Sequence, residues 1–197
     1  MLTQGLIFII SGPSGSGKTT LVKRLFCNPS RLAKNIQRAI SYTSRPIRKG
    51  EIDGKDYFFI SRNEFKKREK DGEFIETKKI VGNLYGTPKN ELNQIIDSGK
   101  DALLCIDVRG ARDVKRLFAR EKVVSIFVLP PTIEDLLGRL KGRSSETSHE
   151  IKKRLNLAKQ ESKCIADYDY VVINSKVGLA VKKLESIIVS ERVRRKA

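Results

Sequence analysis

The chain is poor in residues that build covalent or metal-bound frameworks. Its three cysteines, Cys27, Cys105 and Cys164, are odd in number and widely spaced, and no two form a C-x-x-C pair. That speaks against a disulfide framework. Two lie in apolar surroundings, so reduced, buried thiols in a cytoplasmic protein are expected. The single histidine, His149, lies among polar residues and cannot form a histidine metal cluster. No stretch approaches the roughly 18 apolar residues of a membrane helix, so no membrane is expected. The first apolar run is short, has no basic region before it and no cleavage site after it, which argues against a secretory signal. Internal repeats and low-complexity segments are also missing.

Positive charge is plentiful. Lysine and arginine number 40 against 23 acids, a net charge of +17. Such a chain could hold a nucleic-acid backbone non-specifically. The charges are interleaved with acids, however, as in Arg62-Asn63-Glu64-Phe65-Lys66-Lys67-Arg68-Glu69-Lys70. That run reads as a solvated helix face, and no nucleic-acid-reading motif accompanies it. No specific nucleic acid is expected as a partner; the field suits small anionic substrates instead.

Gly12-Pro13-Ser14-Gly15-Ser16-Gly17-Lys18-Thr19 fits the phosphate-loop pattern G-x-x-x-x-G-K-[ST]. The apolar run Leu6–Ile10 before it reads as a buried strand, and Thr19-Thr20-Leu21-Val22 after it opens an amphipathic helix. A glycine-rich turn matching by chance would not bring both flanks. The loop's N–H groups and the helix N-terminus face phosphate oxygens, Lys18 reaches the β- and γ-phosphates, and the Thr19 hydroxyl is placed to ligate Mg²⁺.

Further along, residues 41–59 read as a dense irregular loop between a short strand at 36–41 and a strand at 57–60. A polar helix spans Arg62–Asp71, a strand 74–81, a turn Gly82-Asn83, and Pro88 opens a helix to about Ser98. Ala102–Asp107 reads as a buried strand ending in a carboxylate, followed by a helix Ala111–Arg120 and a strand Val123–Leu129. Helices at 133–140 and 150–163 flank a polar stretch, and a strand at 170–173 leads to a C-terminal helix. At 197 residues this alternation predicts a single α/β domain around a central parallel sheet.

Five segments carry a resemblance. Ser41-x-Thr43-Ser44-Arg45-x-x-Arg48-x-Gly50-Glu51-x-x-Gly54-x-x-Tyr57-x-Phe59 is the longest. The others are Phe74-Ile75-Glu76, Gly82-Asn83-Leu84-Tyr85-Gly86-Thr87, Ile106-Asp107, and Arg139-Leu140-x-Gly142-Arg143-x-x-Glu146-Thr147. In this order, over nearly the whole chain, they resemble the guanylate kinases. The resemblance implies a three-layer P-loop nucleotide kinase fold with a small mixed GMP-binding subdomain and a helical lid. The core would take residues 1–36, 99–138 and 156–197, the subdomain about 37–98, and the lid about 139–155.

It also implies Mg²⁺-dependent transfer of the γ-phosphoryl of ATP to GMP. Glu76 and Asp107 would read guanine's N1–H and N2–H₂ donors, with Ser41 and Thr87 as hydroxyl partners. Arg45, Arg48, Tyr57 and Tyr85 would hold the GMP phosphate. Lys18, Arg45 and the lid residues Arg139, Arg143 and Arg154 would offset charge on the transferring group. ATP would lie along Gly12–Thr20, with Asn174 near the adenine. Plain core packing competes for the two tyrosines, and a solvated helix face for the lid arginines. The chain departs from the family's usual residues at Ser44, Leu84, Arg109, Ser144 and Asn174-Ser175, and none of these removes a charge the chemistry needs. A monomer or homodimer is expected. Rival readings are a non-catalytic scaffold domain, which would not need Lys18 and Thr19, and a ribose-bisphosphate kinase, which would not need Ser41, Glu76 and Asp107.

Overall fold

The computed structural model describes residues 5–27, 35–80, 82–141 and 148–194. Strand β1 (Ile7–Ser11) lies at the centre of a five-stranded sheet ordered β2-β7-β1-β8-β9, every pair parallel. The others are β2 (Ile36–Arg38), β7 (Asp101–Cys105), β8 (Val123–Leu129) and β9 (Tyr170–Ile173). β1 has no polar alternation because both its faces are covered. Phe8 and Ile10 pack on one side with Leu21, Val22 and Leu25 of helix α1 (Lys18–Cys27) and with Leu184 and Ile188 of the C-terminal helix Val177–Val193. Ile7 and Ile9 face the other side, against Leu92, Ile95 and Ile96 of the helix Lys89–Asp97 and Ala111 and Val114 of the helix Val108–Leu117. The period-2 alternation of side chains along one strand thus builds both cores of a three-layer α/β fold.

In chain order the helices are α1, α2 (Arg62–Lys70), α3 (Lys89–Asp97), α4 (Val108–Leu117), α5 (Ile133–Lys141), α6 (Ser148–Ser162) and α7 (Val177–Val193). A second, mixed sheet is ordered β4-β3-β6-β5, from β3 (Tyr42–Thr43), β4 (Phe58–Phe59), β5 (Phe74–Ile80) and β6 (Asn83–Pro88). α2 exposes its basic face and buries only Phe65, stacked on Phe74 at 4.8 Å. β5 leans on α4, where Lys78 pairs with Asp113. Among the described residues no helix is long and apolar enough to cross a membrane.

Several sequence expectations need correction. The 41–59 segment is not wholly irregular: β3 lies inside it, pairing with β4 and with β6. β6 itself appears where only a turn was expected, and the β4 ladder is shorter than 57–60. α4 begins at Val108 rather than Ala111, because Asp107 leaves the strand direction and caps the helix, its Oδ1 accepting from Gly110 N at 2.8 Å. The cysteines are free but not buried: Cys27 is exposed, and Cys105 and Cys164 are partly covered. β7 delivers Cys105 to the edge of the core, packed against it and also lining the wall of a cleft.

Candidate active site

The phosphate loop leaves the carboxyl end of β1 and turns into the N-terminus of α1, the position in which a parallel sheet presents ligands. Gly12 has φ +139°, and a Cβ there would stand 2.1 Å from the Val128 carbonyl oxygen, so only glycine fits. Lys18 Nζ donates to the Gly12 and Pro13 carbonyls at 2.5 and 3.0 Å, bracing the loop across its mouth. From outside, Asn174 Nδ2 donates to the Ser16 carbonyl at 2.8 Å. Arg139 bridges the Ser16 and Asn174 carbonyls at 3.2 and 2.9 Å.

A cleft of about 210 Å³ opens between this loop and the small sheet. Gly12, Ser14, Gly15, Gly17, Lys18, Thr19 and Thr20 line one side, and Ser41, Arg45, Arg48, Tyr57, Glu76, Tyr85 and Asp107 the other. Pro13, Ser16, Arg139 and Asn174 belong to the loop and its outer supports rather than to the wall. Thr87 stands behind Glu76. Arg143 lies outside the described residues, and Arg154 is placed only by its backbone, on α6.

Glu76 and Thr87 are register partners across β5 and β6, and a register irregularity between Phe74 and Glu76 sets the direction of the glutamate. Thr87 Oγ1 donates to Glu76 Oε1 at 2.7 Å, and Glu76 is only 7% exposed. Burial raises its pKa to about 7; the Thr87 hydrogen bond opposes the rise and the Asp107 charge adds to it. Its Oε2 lies over Gly110, where a Cβ would come to 2.8 Å from that oxygen and 3.3 Å from Asp107 Oδ1. Gly110 therefore gives both acids their room. The Gly110→Ala substitution should raise KM for the acceptor about 10- to 100-fold with little change in KM for ATP. Steady-state titration of each substrate checks this, and an unchanged acceptor KM would count against it.

Arg45 is held ready for an anion. Its guanidinium pairs with Glu51 at 2.8 Å, donates to the Pro46 carbonyl at 2.7 Å, and lies near the Tyr57 and Phe59 rings at 5.6 and 5.5 Å. Burial acts to lower its pKa, but the Glu51 hydrogen bond and charge, with Tyr85, leave it raised, so it stays charged. Glu51 also accepts from the Arg48 backbone N–H at 2.8 Å. Tyr57 and Tyr85 meet edge to face at 5.9 Å as cleft wall, and burial pushes the Tyr57 hydroxyl well above its usual value. Ser44 Oγ accepts from Leu84 N at 2.9 Å, pinning β3 to β6, so the hydroxyl at this departure from the family pattern has work to do.

Sequence reasoning assigned no role to Glu51, Lys78, Asn83, Cys105 or Glu161, all of which line the cleft. For Glu161 a signal existed. It continues the buried spacing of Leu155 and Ala158 on α6, so an acid sits where the helix turns inward.

A family model described as "Guanylate kinase" matches residues 4–191. The chain is 42% identical over 197 residues to the guanylate kinase of Lactococcus lactis subsp. lactis, covering 98% of this chain and 92% of that protein. It is 43% identical over 191 residues to that of Clostridioides difficile, covering 96% and 89%. A crystal structure of guanylate kinase from Anaplasma phagocytophilum superposes with a TM-score of 0.80 at 34% identity, covering 98% of this chain and 88% of that one.

Proposed function

The chain belongs to the guanylate kinase family, and we infer that it moves the γ-phosphoryl group of ATP to GMP, giving ADP and GDP. The observation that carries this reading is one cleft that joins an intact phosphate loop to a buried pair of acids. The loop takes the ATP phosphates, and Lys18 turns from the loop's carbonyls to the β- and γ-phosphates. On the facing side Glu76 and Asp107 accept from guanine's N1–H and N2–H₂, with Ser41 and Thr87 as hydroxyl partners. Arg45, Arg48, Tyr57 and Tyr85 hold the acceptor phosphate. The transition state spreads negative charge over the equatorial oxygens, and fixed cations set opposite it supply most of the catalysis. dGMP should serve as well, since no group assigned here reads the 2′-hydroxyl.

Arg139 starts on the outer side of the loop and joins the transferring group, with Arg143 and Arg154, when the lid of about residues 139–155 closes. The small sheet, within about 37–98, acts as the acceptor-binding subdomain. Closure excludes water and limits wasteful hydrolysis. The donor set fits a hard cation: Thr19, whose hydroxyl is an oxygen donor, lines the cleft beside Lys18. Thr19 and the substrate's own oxygens would hold Mg²⁺, which neutralises phosphate charge when bound.

Because guanine needs an ionised Glu76, GMP affinity should be near its maximum only about a unit above pH 7 and fall as the pH drops through about 7. Protonated Glu76 can instead donate to adenine's N1. The GMP-to-AMP ratio of kcat/KM should therefore contract by up to about 100-fold between roughly pH 8 and pH 6. Paired pH profiles measure it, and a flat ratio would contradict the assignment. The same shift costs stability. Glu76 binds its proton more tightly folded than unfolded, so the fold weakens as pH rises from 4.5 toward about 7. The direct test of the function is ADP release from ATP with GMP, dGMP, AMP, CMP and UMP in turn. Guanine nucleotides should react far faster, and equal rates would overturn the reading.

A further inference from the structure

α6 carries an acid that neither guanine reading nor cation placement uses. Leu155 and Ala158 pack with Leu136 of α5, and one turn further on Glu161 is 6% exposed and lines the cleft beside the phosphate loop. Ser14 and Lys18 of that loop line the same cleft. Glu161 Oε2 is buried with no hydrogen-bond partner among the described residues. The groups around it are Lys18 of α1, Asp107 after β7, Arg109 of α4, and the Tyr168 hydroxyl ahead of β9. A phosphate loop presents its N–H groups to phosphate oxygens. Here a buried side-chain carboxylate shares the cleft with that loop.

We propose that Glu161 sets a buried negative charge beside the phosphate loop, a charge that must be neutralised or displaced when a triphosphate enters. This rests on the loop's assignment to ATP. Two anions repel strongly in a buried site, so arrival of the phosphates drives Glu161 to take up a proton or to swing away. Burial already brings its pKa to about 7, with Lys18 opposing the rise and Asp107 adding to it, so little further repulsion is needed.

The test is isothermal titration of the full chain with a non-hydrolysable ATP analogue and Mg²⁺, without GMP, at pH 8 in two buffers of different ionisation heat. Wild-type protein should take up a fraction of a proton on binding. Glu161→Gln keeps the side chain's size without the charge; it should bind about tenfold more tightly and take up no proton. Unchanged or weaker binding by the variant, with proton uptake intact, would make Glu161 a structural strut and overturn the proposal. Should the variant melt early, wild-type protein alone decides. Its affinity for the analogue should fall between pH 6.5 and 8.5, and a flat or rising affinity overturns the proposal. GMP-dependent ADP formation by wild type is scored separately. Its absence would remove the proposed function but leave the affinity comparison standing.

Discussion

Replacing Glu76 with glutamine should lower kcat/KM for GMP by about 10³-fold while leaving the affinity for ATP within about twofold. The geometry dictates which way the new amide turns. Thr87 Oγ1 donates to Oε1 at 2.7 Å, so the amide oxygen takes that bond and its NH₂ faces the guanine. Two donors then meet two donors in a site that is almost fully buried, and each unpaired polar group costs about 1–3 kcal/mol. The same NH₂ suits adenine's N1 acceptor, so AMP should lose much less than GMP and could gain. Steady-state kinetics with both acceptors, alongside ATP titration, measure the pattern. Equal losses for GMP and ATP would mean that Glu76 only supports the sheet.

Lys18→Ala should cost on the order of 10²–10³ in kcat, with KM for GMP little changed. Lys18 is the cation inside the phosphate loop, and its ammonium now rests on the Gly12 and Pro13 carbonyls at the mouth of the cleft. ATP replaces those neutral acceptors with charged oxygens, so the contact strengthens further as charge moves toward the bridging position. That is differential binding of the transition state. Single-turnover rates at saturating ATP separate the effect from weakened binding. A loss confined to KM for ATP would show that Lys18 binds without catalysing. Thermal melting controls for the loop brace that the substitution also removes.

What could be read from the sequence follows the physics of burial. β1, β7 and β8 are continuous apolar runs because both faces are covered, and the phosphate loop has fixed spacing, so each stands out without a partner. β6 does not. Asn83-Leu84-Tyr85-Gly86-Thr87-Pro88 has weak strand propensity and forms a strand only because β5 and β3 pair with it from both sides. β3 has two residues and no local signal at all. The start of α4 was hidden because the apolar run continues through Ile106, and only the Asp107 cap marks where the strand has ended.

The site divides in the same way. Residues with a motif were found in sequence, and the structure brings most of them to one cleft. Residues that act through a neighbour were not. Glu51 positions Arg45, and Gly110 makes space for Glu76, yet neither relation has a spacing that a single sequence displays. The expectation for Arg139 concerns the substrate-bound enzyme; here its guanidinium donates to the Ser16 and Asn174 carbonyls on the loop's outer side. Cys105 sits in an apolar run but opens onto the cleft, a reminder that the carboxyl end of a parallel strand is a ligand surface even where its residues are apolar.

The most direct test of the central claim follows the phosphoryl group itself. Wild-type chain, Mg²⁺, GMP and ATP labelled at the γ-phosphate should yield label in the β-phosphate of GDP, in step with ADP and with almost none as inorganic phosphate. Label released as inorganic phosphate regardless of GMP, or retained in ATP, would contradict an account in which this cleft brings two nucleotides together and passes a phosphoryl group between them.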